Sequence, residues 1–61
     1  MLTAQEKIER LEMAIALLRD ADAGVQAALG DTEECFDLHC GIESMIDEVQ
    51  EVLTRMEKEL A

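Results

Sequence analysis

The chain has 61 residues, is 49% hydrophobic and 33% charged, and carries a formal net charge of −10. A chain of about 60 residues forms at most one small domain with a marginal core, because it buries only about 60% of its unfolded surface. The composition is too apolar for intrinsic disorder, and the negative charge opposes binding to nucleic acid or anionic membranes, which attract clustered lysine and arginine.

The first predicted helix covers residues 4–29. Thr3 and Glu6 have the spacing of a capping box, in which each side chain bonds the backbone N–H of the other residue. Apolar residues at helical spacing then form one stripe. The stripe consists of Ala4, Ile8, Leu11, Ile15, Leu18, Val25 and Leu29. Asp22 interrupts it at a core-type position, and Gly30 can end the helix because glycine accepts a positive φ.

The second predicted helix covers residues 32–60, after a turn at residues 30–31. Asp31 and Glu34 repeat the capping spacing at its start. Its apolar stripe consists of Cys35, Leu38, Ile42, Met45, Val49, Val52 and Met56, widened by Ile46, Leu53 and Leu60. Two helices of similar length joined by a short turn pack antiparallel. The predicted fold is therefore all-α, an antiparallel two-helix hairpin forming a single domain over residues 1–61.

Residues 13–18 form an unbroken apolar run, so this part of the first helix is apolar on every side. A helix of that kind is buried on more than one side, and one hairpin covers only one side. A homodimer that forms a four-helix bundle would supply the missing cover. The predicted dimer interface consists of Met13, Ile15, Leu17, Leu18, Ile46 and Leu53. The alternative is that Met13 and Leu17 are isolated exposed hydrophobic residues, which are common.

Gly24 lies inside the first predicted helix, where glycine costs about 1 kcal/mol relative to alanine. An antiparallel pairing with the turn near Gly30 places Gly24 roughly opposite Phe36. Two explanations are open. The glycine makes room for the aromatic ring, or it marks a loosened end of the hairpin.

Cys35 and His39 are the candidates for metal ligands, since residues four apart share one face of a helix. Carboxylates from Asp37 or from a second subunit could complete a zinc site. The pattern favours the other explanation, in which both residues are buried or lie at the edge of the core. Cys35 and Cys40 are rotated by about 140° from each other on a helix, so they cannot form a disulfide without unwinding it. No cofactor is expected.

Enzymatic activity is not expected. The sequence has no serine or threonine with a plausible base partner, no glycine-rich phosphate loop and a single histidine. A hairpin also has no concave pocket of the usual ligand size. No apolar run approaches the roughly 18 residues of a membrane span, and the first residues lack a secretory signal. We expect a cytoplasmic protein with no membrane partner and no direct nucleic-acid partner.

In outline the chain resembles the Rop family of plasmid RNA-binding regulators, with which it shares its approximate length and the short run Gln5-Glu6-Lys7. The resemblance implies a helical hairpin with a central turn and a dimeric four-helix bundle. Rop-type proteins bind RNA through a basic and polar face with a phenylalanine on the first helix. Residues 13–17 of this chain are Met-Ala-Ile-Ala-Leu. The departure from the family pattern leaves RNA binding as an alternative only.

The predicted function is that of a small acidic protein-binding module that regulates or inhibits a protein partner. No lysine or arginine lies between Arg19 and Arg55, so the closed end of the hairpin is acidic. The candidate partner-binding residues are Glu33, Glu34 and Asp37 at that end, and Met13, Leu17 and Phe36 among the apolar residues. The acids would suit a partner with a basic surface, and would act there as a nucleic-acid mimic. The alternative from another class is a purely structural oligomerisation module.

Overall fold

The chain folds into two α-helices packed against each other as a hairpin, in a computed structural model that describes residues 1–60. Helix α1 spans Ala4–Leu29 and helix α2 spans Glu33–Leu60. The molecule is a rod of 43 × 16 × 15 Å, so the predicted all-α hairpin is confirmed. The predicted domain also included Ala61, which lies outside the described residues. Neither helix of the described chain has a stretch long and apolar enough to cross a membrane.

Both ends of α1 have the predicted caps. The N–H of Glu6 donates to Thr3 Oγ1 at 3.1 Å, and the N–H of Thr3 donates to Glu6 Oε1 at 3.0 Å. These hydrogen bonds with Thr3 lower the pKa of Glu6. At the other end, Gly30 has φ 62° and its N–H donates to the Gln26 carbonyl at 2.9 Å. The capping box and the positive φ at Gly30 are therefore confirmed.

The start of α2 differs from the prediction, because Thr32 provides the cap. Its Oγ1 accepts a hydrogen bond from the Cys35 N–H at 3.1 Å, and its carbonyl accepts one from the Phe36 N–H at 3.1 Å. The predicted cap by Asp31 is wrong. Asp31 and Thr32 both carry a capping oxygen, so residue type does not choose between them. The connection covers residues 30–32, and the helix begins one residue later than predicted.

The core is a narrow seam between the two helices. Its most buried apolar residues are Ile8, Ile15, Cys35 and Ile46. Leu38 and Met45, assigned to the core stripe by sequence, remain 49% and 52% exposed. They lie about 60° around α2 from the row that faces α1, since three residues advance a helix by about 300°. The apolar stripe of α2 is therefore wider than the surface that α1 covers.

Gly24 does not make room for Phe36. A Cβ atom at Gly24 would have no neighbour within 4 Å, and the Phe36 side chain is 67% exposed. Phe36 follows the buried Cys35, and one residue turns the helix by about 100°, so its ring lies at the flank of α2, towards solvent. The first of the two explanations for Gly24 is therefore wrong.

Candidate functional site

A carboxylate and an imidazole meet across the seam near the closed end of the hairpin. Asp22, on α1, is only 8% exposed although it carries a charge. Its Oδ2 and Oδ1 atoms lie 2.8 Å and 2.9 Å from Nδ1 of His39 on α2. A carboxylate can only accept hydrogen bonds when ionised, so Nδ1 of His39 carries the hydrogen. Gln26 adds a second bond, donating from Nε2 to Asp22 Oδ2 at 3.1 Å.

The hydrogen bond with Asp22 raises the pKa of His39 above its ordinary value. Partial desolvation of the ring opposes this rise, and the negative charges of Asp22 and Glu43 add to it. The imidazole thus keeps its proton to a higher pH than a free histidine. This corner of the hairpin contains a cation held between two carboxylates whenever His39 is protonated.

Glu43 completes a group of three possible ligands. It follows His39 by one turn of α2, so the two side chains lie on neighbouring positions of one face. One atom from each of Asp22, His39 and Glu43 lies within 4.8 Å of the other two, and within residues 1–60 this is the one such group of three. The arrangement joins one residue of α1 to two residues of α2.

The predicted ligand pair is only half present in this group. His39 belongs to it, whereas Cys35 is a buried core residue at 6% exposure. Asp37 is not a member of the group either. Cys35 and Cys40 are both free thiols, one buried and one exposed. The sequence signal for the observed group was Asp22, a charged residue in an apolar stripe.

The side of the seam that contains His39 is mostly polar, with Phe36 as an apolar residue one heptad before Glu43. Gln26 approaches His39 there at 3.5 Å, and Gln5, Glu12 and Glu57 line one groove nearer the open end. We call this the polar side of the seam. By heptad spacing its members are Gln5, Glu12, Arg19 and Gln26 of α1 and Glu43, Gln50 and Glu57 of α2.

The opposite side of the seam is apolar. On α1, a residue four positions after a buried residue lies about 40° around the helix, towards the polar side. A residue one position before a buried residue lies about 100° around the helix in the opposite direction. On α2, a residue three positions after a buried residue likewise lies on the side of the seam opposite to Glu43. We call this the apolar side of the seam. Its members are Ala14, Ala21 and Ala28 of α1 and Leu38, Met45 and Val52 of α2. Leu17, 61% exposed, borders it.

The two ends of the apolar side carry opposite charges. Its basic residues are Lys7 and Arg10 of α1 and Arg55 of α2, all near the open end of the hairpin. Its acids are Asp31 and Glu34 at the closed end, Glu48 near the middle and Glu59 at the open end, in the same row as Leu38, Met45 and Val52. Helical spacing places the charged residues of the two helices in, or next to, a row of the apolar side, whereas Asp31 lies in the turn between the helices. The surface is thus an apolar strip whose open end is mainly basic, with Glu59 among the bases, and whose closed end is acidic.

The residues of the predicted dimer interface fall into two groups. Ile15 and Ile46 are 7% and 4% exposed, since each is covered by the other helix of the same chain, and Leu18 and Leu53 are partly buried. Ile15 and Ile46 therefore have almost no surface left for a second chain while the hairpin is intact, whereas Leu18 and Leu53 keep part of theirs accessible. Met13 and Leu17 are 63% and 61% exposed, so they remain accessible.

The predicted partner-binding residues at the closed end are all exposed. Glu33, Glu34 and Asp37 lie on the first turns of α2, beside the exposed ring of Phe36. Met13 lies on the face of α1 that points away from α2, since it is neither in the buried row nor on its flanks. Acidic and apolar candidates therefore occupy different parts of the rod, with Phe36 alone among the acids.

Comparisons with protein-family models, with curated proteins and with solved structures gave no match to this chain. The resemblance to the Rop family therefore gains no support from them.

Proposed function

We propose that this protein is a non-enzymatic interaction module that associates with a second copy of itself through the apolar side of the seam. The observation that carries the proposal is the exposure of Leu38 and Met45, at 49% and 52%, on a strip that also contains Val52 and a row of alanines. A core as narrow as this one leaves a chain of about 60 residues marginally stable without further burial. A second hairpin would bury the strip and form a four-helix bundle.

The charges along the strip favour a second copy in the reverse orientation. With a two-fold axis perpendicular to the rod, the basic end with Arg10 and Arg55 would face the acidic end of the other chain, with Asp31 and Glu34. Opposite charges at close range would then offset part of the repulsion between two chains of net charge −10. The large side chains of α2 would also meet the small Ala14 and Ala21, and facing large and small residues pack without voids.

Sedimentation equilibrium at micromolar concentration tests the self-association. The double variant Leu38→Glu and Met45→Glu places charges on the apolar side without touching the buried row, so it should shift the protein from dimer to monomer. The control is Ser44→Glu with Gln50→Glu, which adds the same charge to exposed positions of α2 outside the apolar side. The control should remain dimeric. A parent protein that is monomeric yet melts cooperatively would refute the proposal.

We further propose that the acidic closed end binds a basic surface on a protein partner and thereby regulates or inhibits it. Phe36 supports this proposal, because an aromatic ring 67% exposed among acids gives an apolar anchor inside a charged surface. Carboxylates placed in this way can occupy a site made for phosphates, as a nucleic-acid mimic does. A dimer in the reverse orientation would engage Glu34 and would leave Glu33, Phe36 and Asp37 accessible in both copies.

Charge reversal tests the closed end. Glu33→Lys, Glu34→Lys and Asp37→Lys together should abolish binding to an arginine-rich peptide, provided circular dichroism shows unchanged helicity. The matched control reverses three exposed acids near the open end and should retain most of the binding. The control residues are Glu9, Glu12 and Glu57. Equal losses in both variants would mean that only net charge matters, and retardation of RNA in a gel would favour the Rop-like alternative.

A further inference from the structure

The row of α1 that faces α2 contains one residue that does not suit an apolar core. Ile8, Ile15 and Asp22 are its buried members, at 4%, 7% and 8% exposure. A buried carboxylate is costly unless it is paired or bound to a cation. His39 supplies a partner, but its side chain is 37% exposed, so the pair opens to solvent on the polar side of the seam.

We propose that Asp22, His39 and Glu43 form a binding site for a zinc ion at the closed end of the hairpin. Imidazole and carboxylate are both zinc ligands, whereas magnesium and calcium prefer oxygen ligands alone. Copper and nickel accept the same ligand set, and zinc is the ion that we assign to this site. Three protein ligands leave one tetrahedral position for water or for a group from a partner.

The distances are close to what zinc requires. Bonds of about 2.0–2.2 Å to zinc place tetrahedral ligand atoms roughly 3.5 Å apart. The three ligand atoms already lie within 4.8 Å of one another. Glu43 is exposed, so its side chain can close the remaining gap by changing rotamer. The ion would take the place of the hydrogen that now lies between Asp22 and the His39 ring.

The surroundings of the group favour a cation. Gln26 donates to Asp22 Oδ2 at 3.1 Å, and such outer contacts fix the orientation of a ligating carboxylate. The chain has no lysine or arginine between Arg19 and Arg55, so no side-chain cation from that segment competes for the site. The acids of the closed end also create a negative potential that raises the local concentration of cations.

Calorimetric titration of EDTA-treated, dialysed protein with zinc chloride tests the site. We expect one ion per chain, and a melting temperature that rises with zinc concentration. Removing a ligand should cost more than the roughly 10–100-fold typical of outer contacts, so His39→Gln and Glu43→Gln should each weaken binding by more than about 100-fold. Gln26→Ala should weaken it by about tenfold. Glu43 is exposed, so its variant keeps the fold even where a change at Asp22 would not.

Matched controls separate the proposed site from other sources of binding. Glu51→Gln makes the same chemical change as Glu43→Gln, two turns further along α2, and should leave zinc affinity unchanged. Cys35→Ser and Cys40→Ser should also leave it unchanged. Loss of binding in a cysteine variant, with retention in His39→Gln, would overturn the proposal and place the ion on a thiol. Equal affinity for zinc and magnesium would overturn it too, since surface acids alone would explain that result.

Discussion

Alanine at two helical glycines should stabilise this protein. Gly24 and Gly41 lie inside α1 and α2, and a Cβ atom at either position would have nothing within 4 Å. In such open positions an alanine gains only from its higher helix propensity, about 1 kcal/mol each. The double variant should therefore gain about 2 kcal/mol in free energy of unfolding, and about 1 kcal/mol moves the melting temperature of a domain this size by about 4–8 °C.

The assay is thermal and urea unfolding followed by circular dichroism, with protein concentration held constant because self-association couples to stability. We expect the melting temperature to rise by about 8–16 °C for the pair of substitutions. The two single variants should add, since the glycines lie on different helices without shared neighbours. Sedimentation of the same samples shows whether the dimer is preserved.

Gly30→Ala is the contrasting substitution. Gly30 has φ 62° and ψ −137°, a conformation that residues with a side chain rarely adopt. The same change should therefore cost about 1–3 kcal/mol there. A loss of stability at Gly24 or Gly41 would refute the reasoning for those positions. It would mean that a second helix lies against the glycine in solution, where the single hairpin leaves open space.

Three further outcomes follow from the structure. Thr32→Ala should destabilise α2 by about 1 kcal/mol in urea unfolding, and Asp31→Ala should cost clearly less, because Thr32 provides the cap. With EDTA present, the contact between Asp22 and His39 should contribute all of its stabilisation of the fold below the ordinary imidazole pKa of about 6.5. This contribution should be lost as the pH rises through the raised pKa of His39. The melting difference between parent and His39→Gln should thus shrink as the pH rises from below about 6.5 to well above it; a constant difference contradicts this. Finally, the melting temperature should rise from low to moderate salt, because screening over about 8–10 Å weakens repulsion among the acids; a fall would show that the acids are paired.

Local patterns in the sequence were sufficient for the helices and most of their caps. The capping box at Thr3 and the positive φ of Gly30 depend on residues close in sequence, so residue type and spacing predict them. The cap of α2 was ambiguous because Asp31 and Thr32 are neighbours with similar side-chain chemistry. The choice between them requires the path of the turn.

Contacts between the helices were harder to predict from the sequence. The apolar spacing of α1 places Asp22 at a core-type position. Which residue of α2 faces Asp22 depends on the register of the hairpin, and a turn that is one residue longer changes this register. Spacing along one helix indicates only the local pair of Cys35 and His39, because both lie on α2. The sequence also does not show that Leu38 lies beyond the surface that α1 covers. An apolar stripe on α2 does not indicate how much of its width the other helix buries.

The contact between Asp22 and His39 also determines which alignment of the two helices is permitted. Aliphatic residues repeating along each helix would tolerate sliding by one heptad, since one aliphatic contact replaces another at small cost. A carboxylate facing the imidazole tolerates no such sliding, because displacement leaves a buried charge without a partner. Replacing both residues with leucine would then give a hairpin that resists denaturant better but samples several alignments, visible as additional or broadened amide signals in NMR spectra. The polar pair would thus trade stability for a single native alignment.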